Sequence, residues 1–264
     1  MSDSTYTEKS FSSSRQIMTD VLDAASRRHM IHGLIEVDVT RPRQCLQEIK
    51  EQTGESLSFT GFVIYCCAQA VKTNLKIQAY RDWRNRLIIF EDVDIATAVE
   101  RTVGGQKNVI FKVIRAANQK SVREIHQEIR QAQTNKVEAV QGNQWIAAVP
   151  GFIRRFFFRL LGRAPHQMKA IAGTVLITSL GMFGSGAGWG IPMVRHSLNV
   201  TVGGIVDRPY VVNNHLENRE HLCLTISFDH DLTDGAPAAR FIQRFKELVE
   251  SGSGLSETQT VQEC

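Results

Sequence analysis

Cysteine is sparse: five residues are scattered over the 264, and none stands in a CxxC pair or at the Cys/His spacing of a structural zinc site. Cys66 and Cys67 are neighbours in an apolar run, so the chain reads as one that keeps its thiols reduced in a cytoplasmic setting, without bound metal. No apolar stretch approaches the roughly 18 residues of a spanning helix. The N-terminus, MSDSTYTEKSF, lacks the apolar core of a secretory signal. Basic charge is also thin. The formal net charge is +4, with no basic stripe interleaved with aromatics, so nucleic acid is not an expected partner, whereas a polyanionic small molecule would be drawn in. His29, His32, His126, His166, His196, His215 and His221 follow no zincin or zinc-finger spacing and read as structural or surface residues. The glycines of GSGAGWG (184–190) alternate without the GxGxxG spacing, which predicts a flexible loop and no nucleotide cradle.

What is present is enough apolar material, 42% of residues, for one large core. SSSRQIMTDVLDAASRRH opens on serine caps and carries Ile17, Val21, Leu22 and Ala25 at helical spacing. HGLIEVDVT alternates as a strand, RPRQCLQEIKEQTG reads as a helix ending at Gly54, and SFTGFVIYCCAQAVKTNL as a helix buried nearly all round. Strands are expected in RLIIFEDVDIATAVER, NVIFKVIR, TVLIT, LNVTVGGIV and HLCLTISFDH, and helices in NQKSVREIHQEIRQAQ and APAARFIQRFKELVE. The mixture predicts an α/β chain with a mixed sheet and packed helices: an arm over 1–11, one domain over 12–250 and a flexible tail over 251–264.

Within HLCLTISFDHDLTDGAPAARF, the residues Leu222, Leu224, Ile226 and Phe228 share one face of a strand. His230 has the same parity and would join that face if the strand ran so far. Asp234 then precedes Gly235-Ala236-Pro237, where aspartate suits an N-cap and proline a first helical turn. By itself, this is a core histidine satisfied by backbone beside a capping aspartate.

A wider pattern gives the stretch a chemical reading. DHDLTDG resembles the DHRxxDG signature of the dihydrolipoyl acyltransferases of 2-oxo acid dehydrogenase complexes, and the HHxxxDG motif of chloramphenicol acetyltransferase. IEVDVTRPR, FEDVDIATAVER, VIRAANQKSVREIHQEI and GTVLITSLGMFG are similar to further segments of the acyltransferases, in order, from about Ser12 to about Val249. The resemblance implies a chloramphenicol acetyltransferase-like two-layer sandwich, acyl transfer dependent on coenzyme A with acyl-CoA as substrate, and a homotrimer with each site between subunits. His230 falls on the family's catalytic histidine, the general base on a thiol. A free thiol has a pKa of about 8.5 and imidazole about 6.5, so a nearby imidazole can take the proton as sulfur attacks. Thr178 falls on the hydroxyl that stabilises the oxyanion, with Ser179 as the adjacent alternative. A strand-end hydroxyl satisfying backbone is the plainer reading of either. Asp234 falls on the acidic position that supports the site through an arginine, matched by Arg15, with Arg27 and Arg28 close by in sequence.

Two departures stand out. Asp231 follows the histidine where the dehydrogenase-complex enzymes have arginine, which places a negative charge beside the base. No lipoyl domain, covalently attached lipoyl group or peripheral-subunit-binding domain is legible, so the chain is expected to act free-standing, on a small-molecule acceptor or a lipoylated partner in trans. Residues 143–172 are longer and more hydrophobic than the family's connector. Phe152, Ile153, Phe156, Phe157, Leu160 and Leu161 form one stripe of a helix, with Arg155 and Arg159 on another. Core or a subunit contact is the preferred use of that stripe over a membrane surface. The competing functions are a non-catalytic trimeric scaffold of the same fold and a membrane-associated lipid-modifying acyltransferase.

Overall fold

In the computed structural model, which describes residues 6–103, 106–134, 149–180, 186–193, 195–212 and 214–255, the strand with the apolar alternation lies inside the sheet. This strand, β8 (His215–Asp229), pairs antiparallel with β1 (Met30–Asp38) on one side and β7 (Leu198–Val212) on the other. β7 runs parallel to β6 (Val175–Ser179), β6 runs parallel to β4 (Ile95–Val103), and β4 pairs antiparallel with β5 (Gln106–Ile114). The sheet is therefore mixed, in the order β1-β8-β7-β6-β4-β5, beside a small hairpin of β2 (Tyr80–Arg81) and β3 (Leu87–Ile88).

Among the described residues the α-helices are α1 (Ser13–Ala25), α2 (Thr40–Thr53), α3 (Phe59–Lys72), α4 (Val122–Thr134), α5 (Gly151–Leu161), α6 (Pro165–Ala172) and α7 (Gly235–Glu250). Local chemistry sets several ends. The Ser12 and Ser58 hydroxyls accept from the Arg15 and Gly61 backbone N–H groups, and α2 stops at Gly54, whose φ of 71° suits glycine. Leu222, Leu224, Ile226 and Phe228 form one core with buried residues of α3 and α7, the Phe228 ring lying edge-on to Phe241 at 5.7 Å. The helix layer thus covers the sheet face expected from the alternation.

The opposite face of β8, with Cys223, Thr225, Ser227 and Asp229, is buried as well. Part of its cover is the described portion of the glycine segment, which is docked where a flexible loop was expected. Gly204 N–H donates to the Gly188 carbonyl at 3.2 Å, and the Trp189 indole donates to the Ile35 carbonyl at 3.1 Å. A Cβ at Gly203 would lie 2.0 Å from the Gly188 oxygen. Gly203→Ala is therefore expected to lower stability by about 1–3 kcal/mol, read as a lower urea midpoint. A midpoint equal to that of the unmodified chain would mean that residues 186–190 are not seated.

Three further boundaries differ from expectation. The β7–β8 ribbon extends to Val212 and His215, well past the apolar alternation; among the described residues β6 leaves β7 at Val202, and residues 215–218 of β8, which point to both faces of the ribbon, are exposed. The ordered chain does not end at 250, because Leu255 is buried in the core; residues 256–264 of the expected tail lie outside the described residues. Helix α5 packs against α1 by its polar side: Arg154 is buried and its guanidinium donates to Asp20 at 2.6 Å, while Phe152, Phe156, Phe157 and Leu160 face outward. Within the chain the aromatic stripe is not core. Among the described residues, no helix is long and apolar enough to cross a membrane.

Two buried histidines tie stability to pH. His196 donates through Nε2 to the Ala172 carbonyl at 2.8 Å, and burial pushes its pKa down to about 4. His126 Nδ1 accepts the Ser58 backbone N–H at 2.9 Å, and burial, with Arg130 adding to it, lowers its pKa too. Both groups favour the neutral form when folded, so their contribution is complete above the unfolded value of about 6.5 and is lost as pH falls below it. For His196 the loss extends down to about pH 4. Denaturant unfolding should show stability falling by up to about 3 kcal/mol from this histidine alone over that window. A His196→Gln variant should flatten the slope, and an unchanged slope would contradict the assignment.

Candidate active site

β8 stops at Asp229, one residue short of the histidine, and the chain turns tightly. The Leu232 and Thr233 N–H groups both donate to the Asp229 carbonyl at 3.0 Å, and the Asp231 N–H donates to Asp229 Oδ1 at 3.1 Å. The His230 N–H donates to the His29 carbonyl at 2.8 Å, extending the β1 pairing by one residue. Because the strand has ended, His230 does not join the apolar face. Its side chain is exposed, and neither ring nitrogen has a hydrogen-bond partner among the described residues. In contrast, His29, His32, His126 and His196 each spend a ring nitrogen on Asp231, Ser227, Ser58 or Ala172. His230 is thus held by its backbone, while its imidazole engages no neighbouring group among the described residues.

Charge around the turn is paired. The buried Asp229 carboxylate forms an ion pair with Arg28, across a sequence separation of 201 residues. Asp231 lies 2.9 Å from His29 Nδ1 and 3.4 Å from the Arg81 guanidinium. The hydrogen bond from His29, together with the charges of His29, Arg81 and Arg28, holds its carboxyl below the usual carboxylate range. The negative charge beside His230 is therefore offset by cations.

Asp234 occupies the N-cap of α7, and its carbonyl accepts from Ala238 at 3.1 Å. Its side chain makes no capping bond. An N-cap carboxylate normally takes the N–H of the second or third helical residue, and Pro237 removes the latter. Arg15 is exposed in the first turn of α1, and no ion pair joins it to Asp234 among the described residues. The arginine that the structure brings to this turn is Arg28.

Thr178 stands near the end of β6, in register with Thr201 on β7, which is in register with Thr225 on β8. Its hydroxyl makes a long 3.5 Å contact with the Thr201 hydroxyl, which also accepts from the Asn199 amide at 3.1 Å. The Asn199 Oδ1 and Thr225 Oγ1 atoms are buried without a partner among the described residues, so this row carries unused polar capacity. Ser179 has the parity of the core residues Val175 and Ile177 and is directed to the other side of the sheet. Thr201, Asn199 and Thr225 were not singled out from sequence, although the alternation of N-x-T in LNVTV is the trace they leave.

The register also separates the two candidate groups. His230 lies five residues beyond Thr225, or about 17 Å along the strand, while Thr178 lies two strands, about 10 Å, across the sheet. One chain does not bring this imidazole and this hydroxyl to the same atom. Among the described residues, no three His, Cys, Asp or Glu side chains gather to hold a metal ion.

Comparison with known proteins places this geometry in a family. The model of the 2-oxoacid dehydrogenases acyltransferase (catalytic domain) matches residues 3–141 and 163–256 and leaves 142–162 unmatched. The dihydrolipoyllysine-residue succinyltransferase component of the 2-oxoglutarate dehydrogenase complex of Staphylococcus epidermidis is 25% identical over 241 residues, covering 89% of this chain and 50% of the relative. The chain therefore spans about half the length of that curated relative. The fold matches the crystal structure of a probable dihydrolipoamide acetyltransferase from Listeria monocytogenes, with a TM-score of 0.69, 24% identity and coverage of 94% of this chain and 96% of the other. It also matches the dihydrolipoamide acetyltransferase of Azotobacter vinelandii, with a TM-score of 0.72, 20% identity and coverage of 96% and 94%. Because the family model covers most of its length, the chain belongs to the 2-oxoacid dehydrogenase acyltransferase catalytic-domain family.

Proposed function

We propose that the chain transfers an acyl group between coenzyme A and a second thiol of the dihydrolipoamide type, with His230 as general base and Thr178 as oxyanion donor. The observation that carries this reading is the uncommitted imidazole of His230, exposed on a turn anchored by Arg28 and Asp229. His230 accepts the thiol proton as sulfur attacks the thioester carbonyl, and returns it to the departing thiol when the intermediate collapses. The oxyanion meets the Thr178 hydroxyl, which is only loosely engaged with Thr201. Ser179, on the other face, is not part of this step. The Arg28–Asp229 pair anchors the turn; Asp234, whose side chain makes no capping bond, stands at the start of α7, with no ion pair to Arg15 among the described residues.

The separation of the two groups within one chain supports a site shared between copies, with His230 of one meeting Thr178 of the next around the threefold axis of a homotrimer. The test is incubation of the purified protein with a panel of acyl-CoAs, with and without dihydrolipoamide, following CoA release by mass spectrometry. Acceptor-dependent release that disappears in His230→Ala is the expected result. The absence of both turnover and CoA binding would overturn the reading in favour of a scaffold.

A further inference from the structure

Beside the His230 turn is an open cavity of about 260 Å³, lined by the ends of α1 and α5, by β2, by the segment leading into β7 and by the turn itself. Its charge is unusual. Arg27, Arg28, Arg81, Arg159, Arg163 and Arg195 all line it, against only Asp229 and Asp231. Both carboxylates are already engaged, Asp229 by Arg28 and Asp231 by Arg81 and His29. Arg195 has only neutral partners: it donates to the Phe158 carbonyl at 3.1 Å and lies 5.9 Å from the centre of the Phe158 ring. Arg27, Arg159 and Arg163 have no carboxylate partner among the described residues.

Four guanidiniums therefore face one small volume without counter-charge. The C-termini of α1 and α5 offset part of this, but a helix end carries only about half an elementary charge. Crowding is felt inside: burial and the neighbouring charge of Arg28 hold the Arg195 pKa below its ordinary value. A single carboxylate would leave the cavity strongly positive. Phosphate groups combine multiple charge with oxygens that match the guanidinium fork.

We propose that this cavity binds a phosphate-bearing ligand, a diphosphate or phosphate monoester, held chiefly by Arg27, Arg159, Arg163 and Arg195. Phe158, Arg159 and Gly162 of its wall belong to the segment that the family model leaves unmatched, whereas the other nine lining residues fall in matched segments. The proposal stands whether or not His230 acts as the base.

The test is calorimetric titration of the full chain with inorganic pyrophosphate at low ionic strength, with no acyl substrate present and repeated in His230→Ala. Saturable binding that weakens with salt is expected. It should fall by about tenfold or more in an Arg159→Gln/Arg163→Gln variant with an unchanged unfolding midpoint. Arg244→Gln, far from the cavity in α7, should bind as the unmodified chain does. Two competition arms identify the natural source: displacement by coenzyme A but not by pantetheine points to a free nucleotide phosphate, and displacement by phosphatidylglycerol but not phosphatidylcholine vesicles points to a lipid headgroup. No binding at millimolar pyrophosphate, or equal binding by the double variant, would overturn the proposal and leave the acyl-transfer reading untouched.

Discussion

His230→Ala is expected to lower kcat for acyl transfer by about 10²–10⁴-fold, the usual worth of a positioned base. The imidazole is exposed and has no hydrogen-bond partner among the described residues, so the substitution should leave the urea midpoint nearly unchanged. That combination separates a chemical role from a structural one. A large loss of stability with proportionate loss of activity would instead describe a histidine that holds the turn. The hydrogen bonds of the turn survive the change, because none of them uses the His230 side chain. Arg28 and Asp229 are also untouched.

Thr178→Val carries the second large effect. Removing one oxyanion donor typically costs about 2.7–4 kcal/mol of transition-state stabilisation, a fall in kcat of about 10²–10³-fold. KM should change little, because the hydroxyl meets charge that develops only as sulfur adds to the carbonyl. Valine preserves the shape and removes only a long 3.5 Å contact with Thr201, so folding should be spared. Ser179→Ala, on the opposite face of β6, should stay within a few-fold of the unmodified enzyme. If Ser179→Ala carried the loss and Thr178→Val did not, the parity argument for the oxyanion donor would be wrong.

The sheet was legible where periodicity and burial coincide. Leu222 to Phe228 alternate because one face meets α3 and α7, and the mixed sheet with packed helices follows from segments of that kind. The outer part of the β7–β8 ribbon was not legible, because exposure on both faces leaves no alternation to read. Choosing Thr178 over Ser179 required knowing which side of β6 faces the helices, information that adjacent residues in a sequence do not carry. The Arg28–Asp229 pair left no local trace either: its two residues lie 201 positions apart. In α5 the apolar stripe was plain, but the Arg154–Asp20 pair decides which side packs, and it packs the stripe outward. The glycines of 184–190 read as freedom because their spacing matched no motif. Their described part is instead close packing against Gly203 and Gly204, which only the folded chain displays.

The central claim, that one reaction centre is assembled from two copies, is tested most directly by mixing. His230→Ala and Thr178→Val protomers, each nearly inactive alone, are unfolded together in equal amounts, refolded and assayed for acyl transfer. In a ring with each site shared by neighbours, random assembly gives about one interface in four an intact His230 and an intact Thr178. The account predicts recovery approaching one quarter of the activity of the unmodified protein treated in the same way. Activity no greater than the sum of the two variants refolded separately, from mixed oligomers of native size, would contradict it.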